Sequence, residues 1–365
     1  MAIIPRGLVN LSNPEEAVMF QKFICPPKEN PVTPDGLTPD VTFYRKLMVG
    51  FDLNLPVALP GGSNKVRMQV IADDAPVNRL PKQFPAPMMR VRQGQIVHTV
   101  ADGGQDGHTI HHHGIEPTPV NDGVGHTSME IGSYTFQWQP NHAGTYFYHC
   151  HKNTTLHVEL GMYGLLIVDP PEGPGFVPGF NPSNNHLIRY NVEALWAVDE
   201  IDPIWHELGH NAFMAKCGAD PNRPDTYTSD GILHDFNPEV FVISGIPAVV
   251  GTTAIPDPRL EINARRGDTI LLRVVHAGYT VQQFTFGLDA TVIGMDGRPL
   301  GVPPYQSYSR PYTVAANTPF QLTSAMRHDL LFRSGRRGTF PAKVEFFDWV
   351  TGVRYATIQT VIRVR

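Results

Sequence analysis

A pattern of strand, turn glycine and second strand occurs once in each half of the sequence. Residues 87–97 carry it around Gly94, and residues 258–270 carry it around Gly267. In both copies apolar and polar residues alternate with a period of two, which is typical of strands with one buried face. Because such strands recur about every ten residues, the sequence predicts an all-β fold of two related Greek-key β-sandwich domains.

The composition divides the chain into segments. Residues 41–171 are predicted to form the first domain and residues 238–365 the second. Between them, residues 172–237 are rich in Pro, Asn, Gly and Asp and are predicted to be a long linker, with one helix-like stretch at 205–216. Residues 1–40 are predicted to be an N-terminal extension.

The bulk composition argues against several classes of function. The 365 residues include 34 prolines and 33 glycines spread along the chain, which suits short strands joined by turns. The formal charge of −5, without a Lys/Arg block, argues against nucleic acid or an anionic membrane as a partner. No apolar run reaches the roughly 18–20 residues that span a bilayer. Glu15 and Glu16 interrupt the first residues, so no signal peptide is predicted.

The three cysteines exclude a fully paired disulfide framework. They are Cys25, Cys150 and Cys217. Cys150 lies among histidines and is predicted to be a thiolate ligand. Cys25 and Cys217 leave two interpretations open, a disulfide or two buried thiols, of which the second is the simpler.

The histidines are concentrated in the first predicted domain. Nine of the sixteen lie between His108 and His157, and seven of these form two tight clusters. One thiolate, two imidazoles and a thioether are the donors of a blue-copper (type 1) site, and such soft, mixed donors favour copper over zinc, calcium or magnesium. We predict that one loop supplies Cys150, His157 and Met162 as ligands. His108 would supply the second imidazole from a distant strand. A set of ordinary buried side chains is the weaker interpretation, because a cysteine flanked by two histidines is rarely structural.

Strand alternation predicts a second site behind the first. In extended strands His111 and His113 point to one face, as do His149 and His151, whereas Cys150 points to the other. Four imidazoles would therefore converge on one face of the sheet. The peptide neighbours of Cys150 would then connect the two sites electronically.

A literal zinc-protease pattern occurs in the predicted linker, at His206, Glu207 and His210. Gly209 weakens a helix there and Pro203 lies just upstream, so a zinc-protease site is disfavoured. A second hypothesis is that the two histidines help to close an incomplete copper site.

The motifs of both halves resemble those of the multicopper oxidases, the family of laccases and their relatives. The similar segments are residues 107–115, 121–124, 134–136, 143–151, 162–170, 243–247, 272–278 and 292–299. The resemblance extends over roughly residues 40–365 and implies two cupredoxin-like domains. An adjacent histidine and cysteine are also found in copper nitrite reductases. The two-domain layout of those enzymes fits the length of this chain.

The resemblance implies a role for each candidate residue. The type 1 copper ligands would be His108, Cys150, His157 and Met162; the type 2 ligand His111; the type 3 ligands His113, His149 and His151; and the proton-relaying carboxylate Asp122. His112 is predicted to face away from these histidines, at the surface or just behind the ligands.

The sequence departs from the family pattern at two places. The spacing from Cys150 to His157 is longer than the usual loop of these oxidases. The second domain offers only His276 and His328, singly, and residues 343–349 lack the histidine expected at a ligand-bearing strand end. The missing ligands are expected from another subunit, so a homo-oligomer such as a trimer is predicted.

Three functions follow from these residues. The first is a copper oxidoreductase that oxidises a small-molecule or protein electron donor at type 1 copper and passes electrons through Cys150 to a second, type 2 or type 3-like copper site, where oxygen or a small oxyanion is reduced. The alternatives are a non-catalytic blue-copper electron carrier with a vestigial second site, and an enzyme similar to nitrite reductase. The oxidoreductase is favoured because a carrier has no need of four further imidazoles. By resemblance, a periplasmic or extracellular location is expected.

Overall fold

A computed structural model describes residues 38–104, 107–115, 117, 121–125, 128, 132–207, 236–249, 257–303 and 310–365. Three residues of the predictions, Cys25, Cys217 and His210, lie outside these ranges, as do most of the predicted N-terminal extension and the greater part of the predicted helix at 205–216. Among the described residues, no helix is long and apolar enough to cross a membrane.

The described chain is built almost entirely of strands, which confirms the predicted all-β class. The elements of the first half are β1 Val41–Asn54, β2 Lys65–Asp73, β3 Ala86–Arg92, β4 Val97–Asp102, β5 His111–His113, β6 Ser133–Trp138, β7 Gly144–His149, the short helix α1 Thr154–Glu159, β8 Tyr163–Asp169, β9 Phe176–Pro178 and β10 Leu187–Arg189.

The second half continues with strands and short 3₁₀ turns. The strands are β11 Val192–Ile201, β12 Val240–Ile243, β13 Ile246–Val249, β14 Ile262–Ala264, β15 Thr269–His276, β16 Val281–Phe286, β17 Ala290–Met295, β18 Arg298–Pro299, β19 Tyr312–Val314, β20 Phe320–Leu322, β21 Arg327–Arg333, β22 Gly338–Phe347 and β23 Arg354–Val364; the 3₁₀ turns are Pro182–Asn184, Trp205–Glu207 and Pro258–Leu260.

Each half is a sandwich of two sheets around its own core. In the first half the sheets have the strand orders β2-β1-β4-β6 and β3-β8-β7-β5. In the second half they have the orders β13-β12-β11-β15-β21-β17-β18, with β19 beside β17, and β14-β23-β22-β16-β20. Alternating strands bury one face of each sheet between the two layers, as expected for a β-sandwich.

The repeat found in the sequence corresponds to equivalent strand pairs. In the first half β3 pairs parallel with the last strand, β8, and β4 pairs parallel with the first strand, β1. In the second half β14 pairs parallel with the last strand, β23, and β15 pairs parallel with β11. Gly94 and Gly267 occupy the turns, with φ of 82° and 88°, a conformation that glycine adopts without a steric penalty.

This equivalence corrects the interpretation of residues 172–237 as a linker. Strand β11 lies within that range, yet it is the counterpart of β1 and belongs to the main sheet of the second half. Trp196 on this strand is buried in the second core. The exact domain boundaries stay a prediction. The composition was misleading because stretches of sequence rich in proline and glycine flank β11 on both sides.

The two halves are joined by an apolar cluster and by a chain of ion pairs. The cluster combines residues of β1, β2 and β8 with residues of β11 and β12. Beside it, Arg90 bonds to Asp169 at 2.7 Å and to Glu193 at 2.7 Å, and Arg273 bonds to Glu193 at 2.8 Å. Arg273 is 1% exposed and its other carboxylate neighbour, Asp329, lies 3.5 Å away, so removing Glu193 would leave a buried cation with only this more distant acid. These contacts hold the halves in one arrangement.

Candidate metal centre

Strands β5 and β7 pair antiparallel and bring the histidines into register. His111 lies opposite His149, and His113 lies opposite Phe147. Since side chains alternate across a strand, His111, His113 and His149 share one face. His151 joins them, with its ring centroid 5.0 Å from that of His111 and 5.6 Å from that of His149. The predicted convergence of four imidazoles is present in the structure.

Three of these rings present nitrogens close enough to share a metal ion. One nitrogen each of His111, His113 and His149 lies within 4.8 Å of the others. His111 Nδ1–H donates to the backbone carbonyl of Asp122 at 2.7 Å, and His149 Nδ1–H donates to that of Cys150 at 2.8 Å. Because a carbonyl only accepts, both bonds place the lone pair on Nε2. Metal-ligating histidines are typically oriented in this way.

Burial favours the neutral form of three imidazoles of this group. It lowers the pKa of His149 and of His151, and it lowers the pKa of His113 to about 3, with nearby Arg327 and His111 adding to the effect. A neutral imidazole carries the lone pair that a metal ion requires. These three residues therefore hold their donor atoms in the protonation state that suits a bound cation.

Asp122 lies at the edge of the same group. Its carboxylate Oδ1 is 3.3 Å from His111 Nδ1, and its side chain is 28% exposed. This carboxylate therefore contacts both solvent and a candidate ligand. The position fits the proton-relaying role implied by the resemblance, which stays a prediction.

Cys150 lies with a second set of donors. Its Sγ is 3.3 Å from His157 Nδ1 and 3.8 Å from His108 Nδ1. All three side chains are buried. Met162 is fully buried in the same apolar cluster as Cys150. Two backbone bonds of 3.0 Å hold it there, from Cys150 N–H to Met162 O and from Met162 N–H to His157 O. The structure thus brings three of the predicted blue-copper donors together and places Met162 in the same buried cluster as Cys150.

Helix α1 accounts for the long spacing between Cys150 and His157. His157 lies in its last turn, and the helix packs against Trp205 of the second half. Glu159, the last residue of the helix, accepts a hydrogen bond from Asp202 N–H at 2.7 Å. The ligand loop is therefore fixed from both halves of the molecule.

Gly161 makes the turn from this helix to Met162. Its φ is 104°, and a Cβ there would lie 3.0 Å from Met68 Cε and 3.2 Å from the ring of Phe84. Both the conformation and the close packing therefore require glycine.

His112 is not a surface residue. Its side chain is 0% exposed, its Nε2 lies 2.9 Å from Thr99 Oγ1, and its ring packs against Trp138 with the centroids 4.5 Å apart. The prediction that it faces away from the four histidines is confirmed, whereas the surface alternative is wrong. The face away from the histidines is the interior of the first sandwich, which strand alternation alone does not show.

His206 contacts strand β2 and helix α1. Its Nδ1–H donates to the carbonyl of Arg67 at 2.8 Å, and its Nε2 lies 3.5 Å from Glu159 Oε1. It lies outside both groups of candidate ligands. Glu207 is exposed in the 3₁₀ turn. The hypothesis that His206 helps to close the copper site is therefore wrong for this residue.

One second-half histidine, missed as a site residue in the sequence, lines a pocket beside the four imidazoles. The pocket has a volume of about 210 Å³, and His276 forms part of its wall together with His113, His149 and His151. Burial lowers the pKa of His276 to about 4. A single histidine at the end of a strand gives no local signal, so only the packing of the halves brings it to the site.

The donor sets fit copper. A buried thiolate with two imidazoles and a thioether is a soft, mixed set of the kind that binds copper in electron-transfer sites. The four imidazoles on the other face suit copper as well, and their opening into a pocket leaves space for a small molecule. Hard cations prefer oxygen ligands, which neither group offers as its main donors.

Comparison with known proteins supports this chemistry. Residues 65–173 match the model of the multicopper oxidase family. These residues are similar to a multicopper oxidase domain. The matched region carries the cysteine and every histidine of both donor sets.

The relatives that the chain resembles include much longer proteins. The chain is 26% identical over 242 residues to a putative laccase-1 of Oryza sativa subsp. japonica. The aligned region covers 64% of this chain and 35% of that protein. The chain is also 38% identical over 105 residues to an L-ascorbate oxidase of Cucumis sativus. This aligned region covers 25% of this chain and 16% of that protein. The chain thus spans about a third or less of the length of these relatives.

Solved structures share the fold over most of the chain. A blue copper oxidase from Nitrosomonas europaea superposes with a TM-score of 0.60 at 21% identity, covering 89% of this chain and 86% of that one. A copper nitrite reductase from the same organism superposes with a TM-score of 0.52 at 16% identity, covering 88% and 93%. The cupredoxin-like architecture predicted from the motifs is confirmed.

Proposed function

We propose that the protein is a copper-dependent oxidoreductase of the multicopper oxidase type. It would oxidise a small-molecule or protein donor by one electron at the Cys150 site and reduce oxygen or a small oxyanion at the histidine-lined pocket. The observation that carries the proposal is the pair of donor sets on opposite faces at the end of β7. The presence of a laccase and an ascorbate oxidase among the relatives supports the same class of reaction.

The polypeptide at the end of β7 provides the shortest connection between the two donor sets. Cys150 is bonded through its peptide groups to His149 and His151, which both belong to the four-imidazole group. The Nδ1–H of His149 also donates to the carbonyl of Cys150 at 2.8 Å. Copper bound in the two sets would supply reversible one-electron chemistry. The protein's contribution is a short, rigid path and a buried environment at one end of it.

Asp122 is proposed to deliver protons on the pocket side. Its carboxylate is partly exposed and lies 3.3 Å from His111 Nδ1, so it can exchange protons with solvent next to the imidazole group. Its backbone carbonyl also holds the His111 ring in place. The residue would thus act both as a positioning residue and as a proton carrier.

A non-catalytic electron carrier is the second candidate. The observation that favours it is the scarcity of donors in the second half, where the sequence from residue 238 onward contains only His276 and His328. An acceptor chemistry similar to that of nitrite reductase is a further alternative. We also propose that the chain forms a homo-oligomer such as a trimer and acts in the periplasm or outside the cell. Another subunit would then add ligands.

The deciding experiment measures copper per chain together with visible absorption and EPR on one copper-loaded sample. The proposal predicts more than one copper per chain, with a type 2 signal or a near-ultraviolet band beside the blue band, and turnover with oxygen or nitrite as acceptor. One copper per chain with the blue signature alone would instead identify an electron carrier. The absence of a blue band would contradict the Cys150 site itself.

A further inference from the structure

Six exposed arginines lie together at one end of the second sandwich. In the sequence they are divided among three short segments and form no continuous block. The members of this arginine patch are Arg265, Arg266, Arg333, Arg336, Arg337 and Arg365. The chain as a whole has a formal charge of −5, so the concentration of positive charge is local and requires an explanation.

Hydrogen bonds bring the three segments together. The turn after β14 contacts the turn after β21, because Gly267 N–H donates to Ser334 O at 2.9 Å and Arg333 Nε–H donates to Gly267 O at 3.1 Å. The end of β23 joins them, since Arg266 N–H donates to Arg365 O at 2.9 Å. The arginine patch is therefore assembled by the fold from segments that are distant in sequence.

The arginine patch is not neutralised by ion pairs of its own. Within the described ranges no carboxylate forms an ion pair with any of its six arginines, and the neighbouring Glu261 pairs at 2.8 Å with Arg363, which lies outside the patch. Asp268 accepts the backbone N–H of Arg265 at 2.8 Å. Like charges held close together repel one another, so a bound anion would stabilise this end of the domain.

The residue types define the chemistry of the ligand. Arginine binds carboxylate, sulfate or phosphate through paired hydrogen bonds of its planar guanidinium group. Among the described residues, the large apolar side chains that are exposed all lie outside the three segments. The nearby ring of Phe340 is buried, with the Arg336 guanidinium 5.4 Å from its centroid.

This polar surface favours a hydrophilic polyanion over other anionic partners. Protein interfaces are built around apolar or aromatic anchors, and attachment to a membrane gains much of its strength from apolar side chains. Single-stranded nucleic acid binds by stacking on open aromatic faces. The arginine patch offers ion pairs alone.

We propose that the arginine patch binds a linear acidic polysaccharide whose sugars carry carboxylate or sulfate groups. Such a polymer is hydrophilic, and its repeated charges match cations that are distributed over three segments. The partner also fits the proposed location outside the cytoplasm. The inference goes beyond the proposed redox function and does not depend on it.

The arginine patch and the candidate copper pocket lie at opposite ends of strand β15. The strand begins at Thr269, beside the patch, and its eight residues end at His276 in the pocket wall. Eight extended residues span roughly 25 Å. A bound polymer would therefore leave the pocket open, and its role would be attachment of the protein rather than supply of a substrate.

The test measures binding of the full chain to heparin, which carries sulfate and carboxylate groups, and to uncharged dextran. Arg266→Gln/Arg337→Gln removes two charges from the patch, and Lys82→Gln/Arg92→Gln, the matched control, removes two exposed charges from the first half. We expect the heparin affinity of the patch variant to fall at least about fivefold, with a weaker dependence on salt. The control should match the wild type, and dextran should not bind.

Equal heparin affinity in the patch variant and the wild type would overturn the inference, as would dextran binding equal to heparin binding. Arg266→Lys/Arg337→Lys keeps both charges and should recover at least half of the lost affinity. If it binds as weakly as the glutamine variant, the loss is not electrostatic and the inference fails. Tighter binding of double-stranded DNA, or of vesicles of phosphatidylcholine and phosphatidylserine, than of heparin at equal ionic strength would contradict the assignment to a polysaccharide.

Discussion

The two donor sets at the end of β7 differ in their access to solvent. His108, Cys150 and His157 are all buried, whereas His111 and His113 are partly exposed and the group to which they belong opens into a pocket of about 210 Å³. A centre that only passes electrons needs no entry for a small molecule, while a centre that reduces one does. The fold thus separates a closed site from an open site within one or two residues of sequence. The first two of the following predictions test this separation directly, and the others test the buried contacts that surround the two sites.

The largest effect is expected from Cys150→Ser. Because the thiolate produces the blue charge-transfer band, the variant should lose that band completely and with it all turnover of an electron donor. The open site should still take up copper, since none of its imidazoles changes. Visible absorption and elemental analysis on the same sample check both points. A blue band that persists would show that the closed site lies elsewhere.

His113→Gln should produce the opposite pattern. We expect at least a tenfold loss of affinity for the second copper, with the intensity of the blue band unchanged, because His113 belongs to the open set alone. Copper competition followed by absorption measures both sites. His186→Gln, a histidine on the far loop between β9 and β10, serves as the control and should change neither. A parallel loss of the blue band would mean that the two sets are not separable.

Thr99→Val tests the interior side of strand β5. Thr99 Oγ1 accepts from Trp138 Nε1–H at 3.0 Å and lies 2.9 Å from His112 Nε2. Valine would leave both buried ring nitrogens without this partner, so unfolding free energy should fall by about 2 kcal/mol. Urea unfolding measures the change. Thr313→Val, which removes an exposed threonine pair with Thr291, should cost less than about 0.5 kcal/mol.

The smallest effect is expected from Glu159→Gln and depends on pH. Burial raises the pKa of Glu159 well above its usual value, and the nearby carboxylates of Glu200 and Asp202 add to this shift. The folded state therefore retains a proton that the unfolded state releases, and stability is lost as the pH rises above about 4.5. The amide of the variant does not titrate, so its unfolding free energy does not fall with pH at this position. The stability of the variant relative to wild type should therefore increase between pH 5 and pH 8.

Urea unfolding of the metal-free protein at several pH values measures this difference. Glu207→Gln, at an exposed carboxylate two residues beyond Trp205, is the matched control and should show no such trend. A constant difference between Glu159→Gln and wild type across the pH range would contradict a buried, protonated Glu159 behind the closed site.

The tertiary contacts of the closed site explain why only part of it was predictable. The pattern from Cys150 to Met162 identifies donors, because ligand chemistry is local and few residue types supply it. The contact of Glu159 with Asp202, which anchors the ligand helix to the second half, has no local signature. It depends on how two domains pack, and packing joins residues that are distant in sequence.

The amino-acid sequence by itself determined the all-β class, the two-domain repeat, the candidate ligand residues and the face of the sheet on which the four histidines lie. These properties follow from periodicity and donor chemistry, which act over a few residues. Only the tertiary structure decided that β11 belongs to the second sandwich, that His112 is buried against Trp138, and that His276 lines the pocket. Each of these facts depends on sheet registration and domain packing, which are set by the summed burial of many side chains rather than by any local pattern.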